Sequence, residues 1–95
     1  MKKGYVYIMS NKNRTTFYTG VSSNLKTRIT DHKNGEGSVF TKRYNLEDLV
    51  YYEEFPDIIQ AIDREKQLKK WHKEWKINLI RSANPEMKDL YWEIR

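Results

Sequence analysis

Hydrophobic and polar positions divide this chain into short elements. Residues 5–9, Tyr-Val-Tyr-Ile-Met, are β-branched and aromatic, as a strand requires. Alternation puts Tyr5, Tyr7 and Met9 on one face and Val6 and Ile8 on the other. Asn11-Lys12-Asn13-Arg14 has turn composition, and residues 16–21 form a second strand. A symmetric hairpin centred between Lys12 and Asn13 pairs residues whose numbers sum to 25. Tyr7 is then expected opposite Tyr18, and Tyr5 opposite Gly20, which leaves a gap beside Tyr18.

Ser22-Ser23-Asn24 offers N-caps for a helix that stops near Asn34-Gly35. Leu25, Arg28, Ile29 and His32 share one stripe of it, with Arg28 and His32 expected at its margin. Gly35-Glu36-Gly37-Ser38 reads as a flexible loop, and residues 40–44 as a basic-aromatic segment with room for one helical turn. Residues 46–55 contain a third strand, whose acids suggest an exposed rim. Asp57, with Gln60 three residues on, is a capping box for a long helix that bends near His72-Lys73 and ends at Asn84-Pro85. Its apolar stripe runs Ile58, Ile62, Glu65, Leu68 and continues through Trp71, Trp75 and Leu79. Leu90, Tyr91 and Trp92 read as an anchor for the tail. The order is strand, strand, helix, strand, helix, helix.

At 95 residues the chain is expected to form a single domain, 1–95, with a modest core to which its 13 aromatics contribute. It has no cysteine, so disulfides and thiolate zinc sites are excluded. No apolar h-region follows the two N-terminal lysines and no run could span a bilayer, so a cytoplasmic setting is expected. The net charge of +5 is unevenly placed. Residues 1–46 hold nine Lys/Arg against Asp31 and Glu36, while residues 47–57 hold five acids and no base. Basic clusters of this kind suit a polyanion such as nucleic acid, and equally a solvated lysine-rich surface.

Glu65 interrupts a stripe of isoleucine and leucine, and a buried carboxylate needs a partner. Pattern alone favours an ion pair with Arg28, Arg64 or a lysine. The alternative is a ligand for a hard cation such as Mg²⁺. Tyr7 and Tyr18 read as core aromatics or as a paired set at the glycine gap. Arg28 either pairs with Asp31 or offers its planar fork to phosphate. His32 suits a helix end, where the macrodipole favours it. Trp71 and Trp75 read as core, and the lysines between residues 66 and 76 as a solvated face.

Taken together, these residues resemble the GIY-YIG nuclease motif, over nearly the whole chain and closest to the small stand-alone members. Tyr5-Val6-Tyr7 stands where that family has GIY, and Tyr18-Thr19-Gly20 where it has YIG. Arg28 follows the second tyrosine by ten residues, with His32 four further on, and Glu65 falls at the family's metal-binding glutamate. Two motif positions depart: Tyr5 replaces a glycine and Thr19 an isoleucine. The second histidine of homing-type members is absent, with Ser38 or Thr41 nearby, and a late asparagine would fall at Asn84.

The resemblance implies an α/β (α+β) fold, a small three-stranded antiparallel sheet flanked by helices. It implies a metal-dependent endonuclease acting on DNA, in repair or recombination. Tyr7 would be the general base with His32 assisting, Tyr18 would position phosphate or water, and Arg28 would stabilise phosphoryl charge. Glu65 would hold Mg²⁺ or Mn²⁺. Lys26, Lys42, Arg43, Lys66, Lys69 and Lys70 are the expected nucleic-acid contacts. A DNA-binding or adaptor module with little activity, acting with a targeting protein, is the alternative.

Overall fold

The computed structural model describes residues 2–94. Three strands form one antiparallel sheet: β1 (Gly4–Ser10), β2 (Phe17–Ser22) and β3 (Asp48–Phe55), in the order β2-β1-β3. Both outer strands are therefore sheet edges. On one face lie α1 (Leu25–Lys33), the short α2 (Val39–Arg43) and the C-terminal segment. On the other lie α3 (Ile58–Lys69) and α4 (Lys73–Ala83). The expected fold class holds, and α2 is the single turn that residues 40–44 allowed.

The pleat of β1 sorts the core. Tyr7 and Met9 join Leu25 and Ile29 of α1, with Leu46, Leu49, Tyr91 and Ile94. Val6 packs with Ala61 and Leu68 of α3, and Ile8 with Val50 and Ile80 of α4. These side chains are nearly all fully buried. At about 25 cal/mol per Å², burying each large aliphatic contributes roughly 1.5–3 kcal/mol.

The hairpin register differs from the symmetric expectation. Paired residues sum to 27, so Tyr7 faces Gly20 and Met9 faces Tyr18. The turn itself sits where expected, with the Arg14 N–H donating to the Asn11 carbonyl at 3.1 Å. Two more residues, Thr15 and Thr16, are then drawn into the loop, because the Asn11 carboxamide accepts from both their N–H groups at 2.9 and 3.1 Å. The left-handed residue is Arg14 (φ 57°) and not an asparagine. Asp48 compensates. It is 3% exposed, and its carboxylate takes Arg14 at 2.8 Å and Lys12 at 3.2 Å. This acid is thus a buried pin; of the acids expected at the rim, Glu54 is exposed beside Lys3 and Glu53 is partly buried on Arg64.

Helix ends follow local chemistry. Asn24 caps α1 by accepting from the Thr27 N–H at 3.2 Å, and Gly35 leaves the helix at φ 76°. Asp57 caps α3 through the Ile59 N–H at 2.9 Å, without a return bond from Gln60 among the described residues. The expected bend is a break at Lys70–His72. That break resets the helical phase. Trp71 and Leu79 pack against the core, but Trp75 is 56% exposed and does not continue the stripe. Tyr91 and Leu90 do anchor the tail, whereas Trp92 lies largely in solvent.

Candidate active site

An even-numbered register offset preserves which face each side chain takes. Tyr7 and Tyr18 therefore still share a face, as diagonal neighbours with ring centroids 6.4 Å apart. Gly20 lies directly opposite Tyr7, and a Cβ there would overlap the Cζ and hydroxyl of that tyrosine. The glycine is thus required by the path of the Tyr7 ring.

One helical turn after Arg28, His32 turns in towards the same ring and is 3% exposed, deeper than a stripe margin. Its Nε2 lies 2.9 Å from the Tyr7 hydroxyl, and its Nδ1 lies 3.0 Å from Thr41 Oγ1. Burial and the Arg28 charge pull the imidazole pKa down to about 4, against a smaller lift from Asp31. Burial, helped by Tyr18 and Glu65, pushes the Tyr7 hydroxyl above its ordinary value of about 10, with Arg28 opposing. At neutral pH the ring is uncharged and the phenol protonated. In the tautomer in which Tyr7 donates to Nε2, Nδ1–H donates to Thr41 Oγ1. Thr41 in turn donates to the Ser38 carbonyl at 3.2 Å and accepts from the Ser38 hydroxyl at 2.9 Å.

The loop before α2 closes this chain. A Cβ on Gly37 would overlap the His32 imidazole. Residues 35–38 are therefore not merely flexible, and Gly37, Ser38 and Thr41 are members of the site that sequence reasoning left unassigned. The one available signal was that Ser38 and Thr41 stand near where homing-type members place a second histidine.

Arg28 is half-buried, and its charge reaches both Tyr7 and His32. Among the described residues its guanidinium has no ion pair and no hydrogen-bond acceptor; the Asp31 partnership does not form. Glu65 projects from α3, and its charge also reaches Tyr7. Its side chain is 16% exposed, and its partner is Lys69, one turn on, at 3.4 Å. That long contact to a half-exposed ammonium leaves carboxylate lone pairs free. Among the described residues no three carboxylates or histidines converge as a metal cage. A single carboxylate of this kind fits a hard cation that keeps most of its own water.

The expected basic contacts divide. Lys26 lies over the Tyr91 ring at 3.8 Å and serves the tail. Lys42 and Arg43 are exposed on α2 beside Phe40, which stacks on Tyr18 at 6.1 Å. Lys66, Lys69 and Lys70 are exposed along α3 and its end. Asn84 is away from the site, because its carboxamide is used by the Val50 and Lys88 carbonyls at 2.9 and 2.8 Å.

Comparison with known proteins bears on the family and the fold. A family model described as the GIY-YIG catalytic domain matches residues 3–78. A UPF0213 protein of Staphylococcus saprophyticus is 36% identical over 80 residues, covering 84% of this chain and 96% of that protein. A UPF0213 protein of Syntrophus aciditrophicus is 36% identical over 87 residues, covering 90% and 98%. The solution NMR structure of a UPF0213 protein from Bacillus halodurans superimposes with a TM-score of 0.58 at 26% identity, covering 92% of each chain. With a catalytic-domain match over most of its length, and relatives that span it nearly end to end, the chain belongs to the GIY-YIG nuclease family.

Proposed function

We propose that this protein is a metal-dependent endonuclease that hydrolyses phosphodiester bonds in DNA. The observation that carries the reading is the half-buried Arg28 guanidinium, without a carboxylate partner among the described residues, beside the hydrogen-bonded Tyr7–His32 pair. Holding a cation partly desolvated with no counter-ion is costly, and a phosphate would relieve that cost. Arg28 is assigned to the non-bridging oxygens, where charge develops in the transition state. Tyr18, in contact with both Tyr7 and His32, orients the phosphate or the attacking water.

The proton path uses the tautomer in which Tyr7 donates to Nε2. The Tyr7 oxygen takes a proton from the attacking water as its own proton passes to His32 Nε2. Nδ1–H, held on Thr41 Oγ1, keeps the acceptor nitrogen aimed at Tyr7. Phosphate binding neutralises Arg28 and so removes one of the two influences that weaken His32 as a base. Glu65 would hold Mg²⁺ or Mn²⁺. When bound, such a cation supplies Lewis-acid stabilisation of charge on the phosphate and leaving oxygen.

The test is incubation with branched and linear DNA and either metal, beside Glu65→Ala. Metal-dependent cleavage by the wild type alone is expected; equal cleavage by both, or none with any substrate, defeats the proposal. The second reading, a DNA-binding or adaptor module acting through a targeting protein, is favoured by the Lys69 ammonium already resting on Glu65. Salt-dependent DNA binding without metal-dependent cleavage would select it.

A further inference from the structure

On the α3–α4 side of the sheet, the face opposite Tyr7 and Tyr18, a groove opens beside β2. It lies between residues 15–17, at the start of β2, and the junction of α3 with α4. Trp71, Lys73 and Lys76 line it with Thr15, Thr16 and Phe17, and its volume is about 370 Å³. That is within the range of small-ligand sites. We propose that this groove is a second phosphate subsite, which seats the sugar–phosphate backbone of a nucleic-acid strand beside the nucleotide under attack. The proposal rests on the nuclease reading above and adds to it the path taken by the flanking strand.

Three observations support it. First, one of the two groove cations is partly withdrawn from water and the other is exposed beside it. Lys76 is half-buried, and loss of water together with the Lys69 charge pulls its pKa down. Among the described residues neither Lys73 nor Lys76 pairs with a carboxylate; Glu74, on the same turn, pairs with neither. Among the described residues Lys73 has the Thr15 carbonyl and, at 5.8 Å, the Phe17 ring. Second, the aromatic wall is fixed. Arg64 stacks on Trp71 at 5.3 Å, and Trp75 meets Trp71 edge-on at 6.1 Å with its own ring largely exposed. Lysines beside the partly buried Trp71, with the exposed Trp75 indole against it, suit a sugar–phosphate chain with an unstacked base. Third, charge is continuous towards the site and not matched on the far edge. Lys76 neighbours Lys69, and Lys69 contacts Glu65. On β3 the acids Glu53 and Glu54 are each already paired, with Arg64 at 3.0 Å and with Lys3 at 3.3 Å, so that edge offers no unpaired lysines like Lys73 and Lys76 among the described residues. A polyanion is thus steered to the β2 side.

The test is binding, separate from cleavage. A labelled oligothymidylate of about eight nucleotides is titrated in EDTA, by fluorescence anisotropy, from about 50 to 200 mM salt. The proteins are the wild type, Lys73→Met/Lys76→Met, Lys73→Met alone, and Lys88→Met as a charge-matched control on the remote tail. Methionine keeps the buried stem, circular dichroism checks folding, and Lys73, being exposed, provides a variant that folds whatever Lys76 does. Each lost phosphate contact on a single strand lowers the salt slope by about 0.7. The double variant should therefore lose about 1.4 in slope, so the wild type weakens about sevenfold more across that salt range. Lys88→Met should match the wild type, and the oligonucleotide should shift the Trp71 indole N–H signal and not that of Trp92. Unchanged slopes in both groove variants overturn the subsite while leaving the nuclease reading intact. Wild-type protein that cleaves DNA with no Trp71 shift also overturns it. Binding of polyglutamate as tightly as the oligonucleotide overturns it in favour of an acidic protein partner. No binding and no cleavage by the wild type defeats both readings together.

Discussion

Thr19 stands where the family motif has isoleucine, and its side chain is buried on the α3 side of β2 at 4% exposure. Its hydroxyl oxygen is fully enclosed and has no hydrogen-bond partner among the described residues. A buried hydroxyl without a partner costs about 1–3 kcal/mol on protein mutational scales. Thr19→Val keeps the β-branched shape and the strand preference and replaces that hydroxyl with a methyl. The expected gain is therefore about 1–2 kcal/mol. For a domain of this size each kcal/mol moves Tm by about 4–8 °C, so the midpoint should rise by at least about 4 °C. Thermal melts followed by circular dichroism measure the shift, and urea titration should give a higher midpoint at unchanged m. An unchanged or lowered Tm would refute the reasoning, because it would mean that the hydroxyl is satisfied in solution, for example by an ordered water. Cleavage assays on the same variant separate strain kept for function from simple imperfection.

Other consequences can be checked alongside. His32 is held neutral in the fold, with its pKa lowered from the ordinary 6.5 to about 4, so the unfolded chain takes up this proton first. Stability from this group is complete above about pH 6.5 and falls by up to about 3 kcal/mol as the pH drops to about 4. Urea midpoints across that window should decline more steeply for the wild type than for His32→Gln; parallel curves would count against the assignment. Gly37→Ala should displace the His32 ring, cost about 1–3 kcal/mol and abolish cleavage, with oligonucleotide affinity kept. Full activity in that variant would mean that the imidazole position is unimportant. Asp48→Ala removes the carboxylate from Lys12 and Arg14 and should cost about 3 kcal/mol in urea denaturation. Lys69→Met should tighten Mn²⁺ binding, read by electron paramagnetic resonance of the free ion, because Glu65 loses its competing ammonium. Weaker binding would show that Lys69 assists the site.

Much of this fold was legible because local chemistry decides it. Alternation fixed the faces of β1, and Asn24, Asp57 and Gly35 set helix ends from within their own turns. The hairpin register was not legible, because the Asn11 side chain gathers two extra residues and the loop is then pinned by Asp48 from a distant strand. The shared face of Tyr7 and Tyr18 survived because two residues is an even shift. Trp75 was misplaced because a helix break erases phase beyond it. Within the candidate site, Tyr7, Tyr18, Arg28, His32 and Glu65 were named through the resemblance to the family motif. Gly37 and Thr41 were not, because their role lies in contact with a ring that only tertiary folding delivers.

The outer position of β2 has a further consequence. A strand at the margin of a sheet is a template for pairing with another chain, and proteins usually blunt such margins. Here Tyr18 lies on that strand, Gly20 gives the Tyr7 hydroxyl room against it, and the lysine groove begins at its first residue. Self-association by strand addition along β2 would therefore be autoinhibitory as well as an aggregation hazard. The lysines of α3 and α4 beside it repel a second copy while attracting a polyanion. Solubility and access to the candidate site are thus one requirement, and substitutions that neutralise this margin should be screened for filament formation before any loss of activity is ascribed to chemistry.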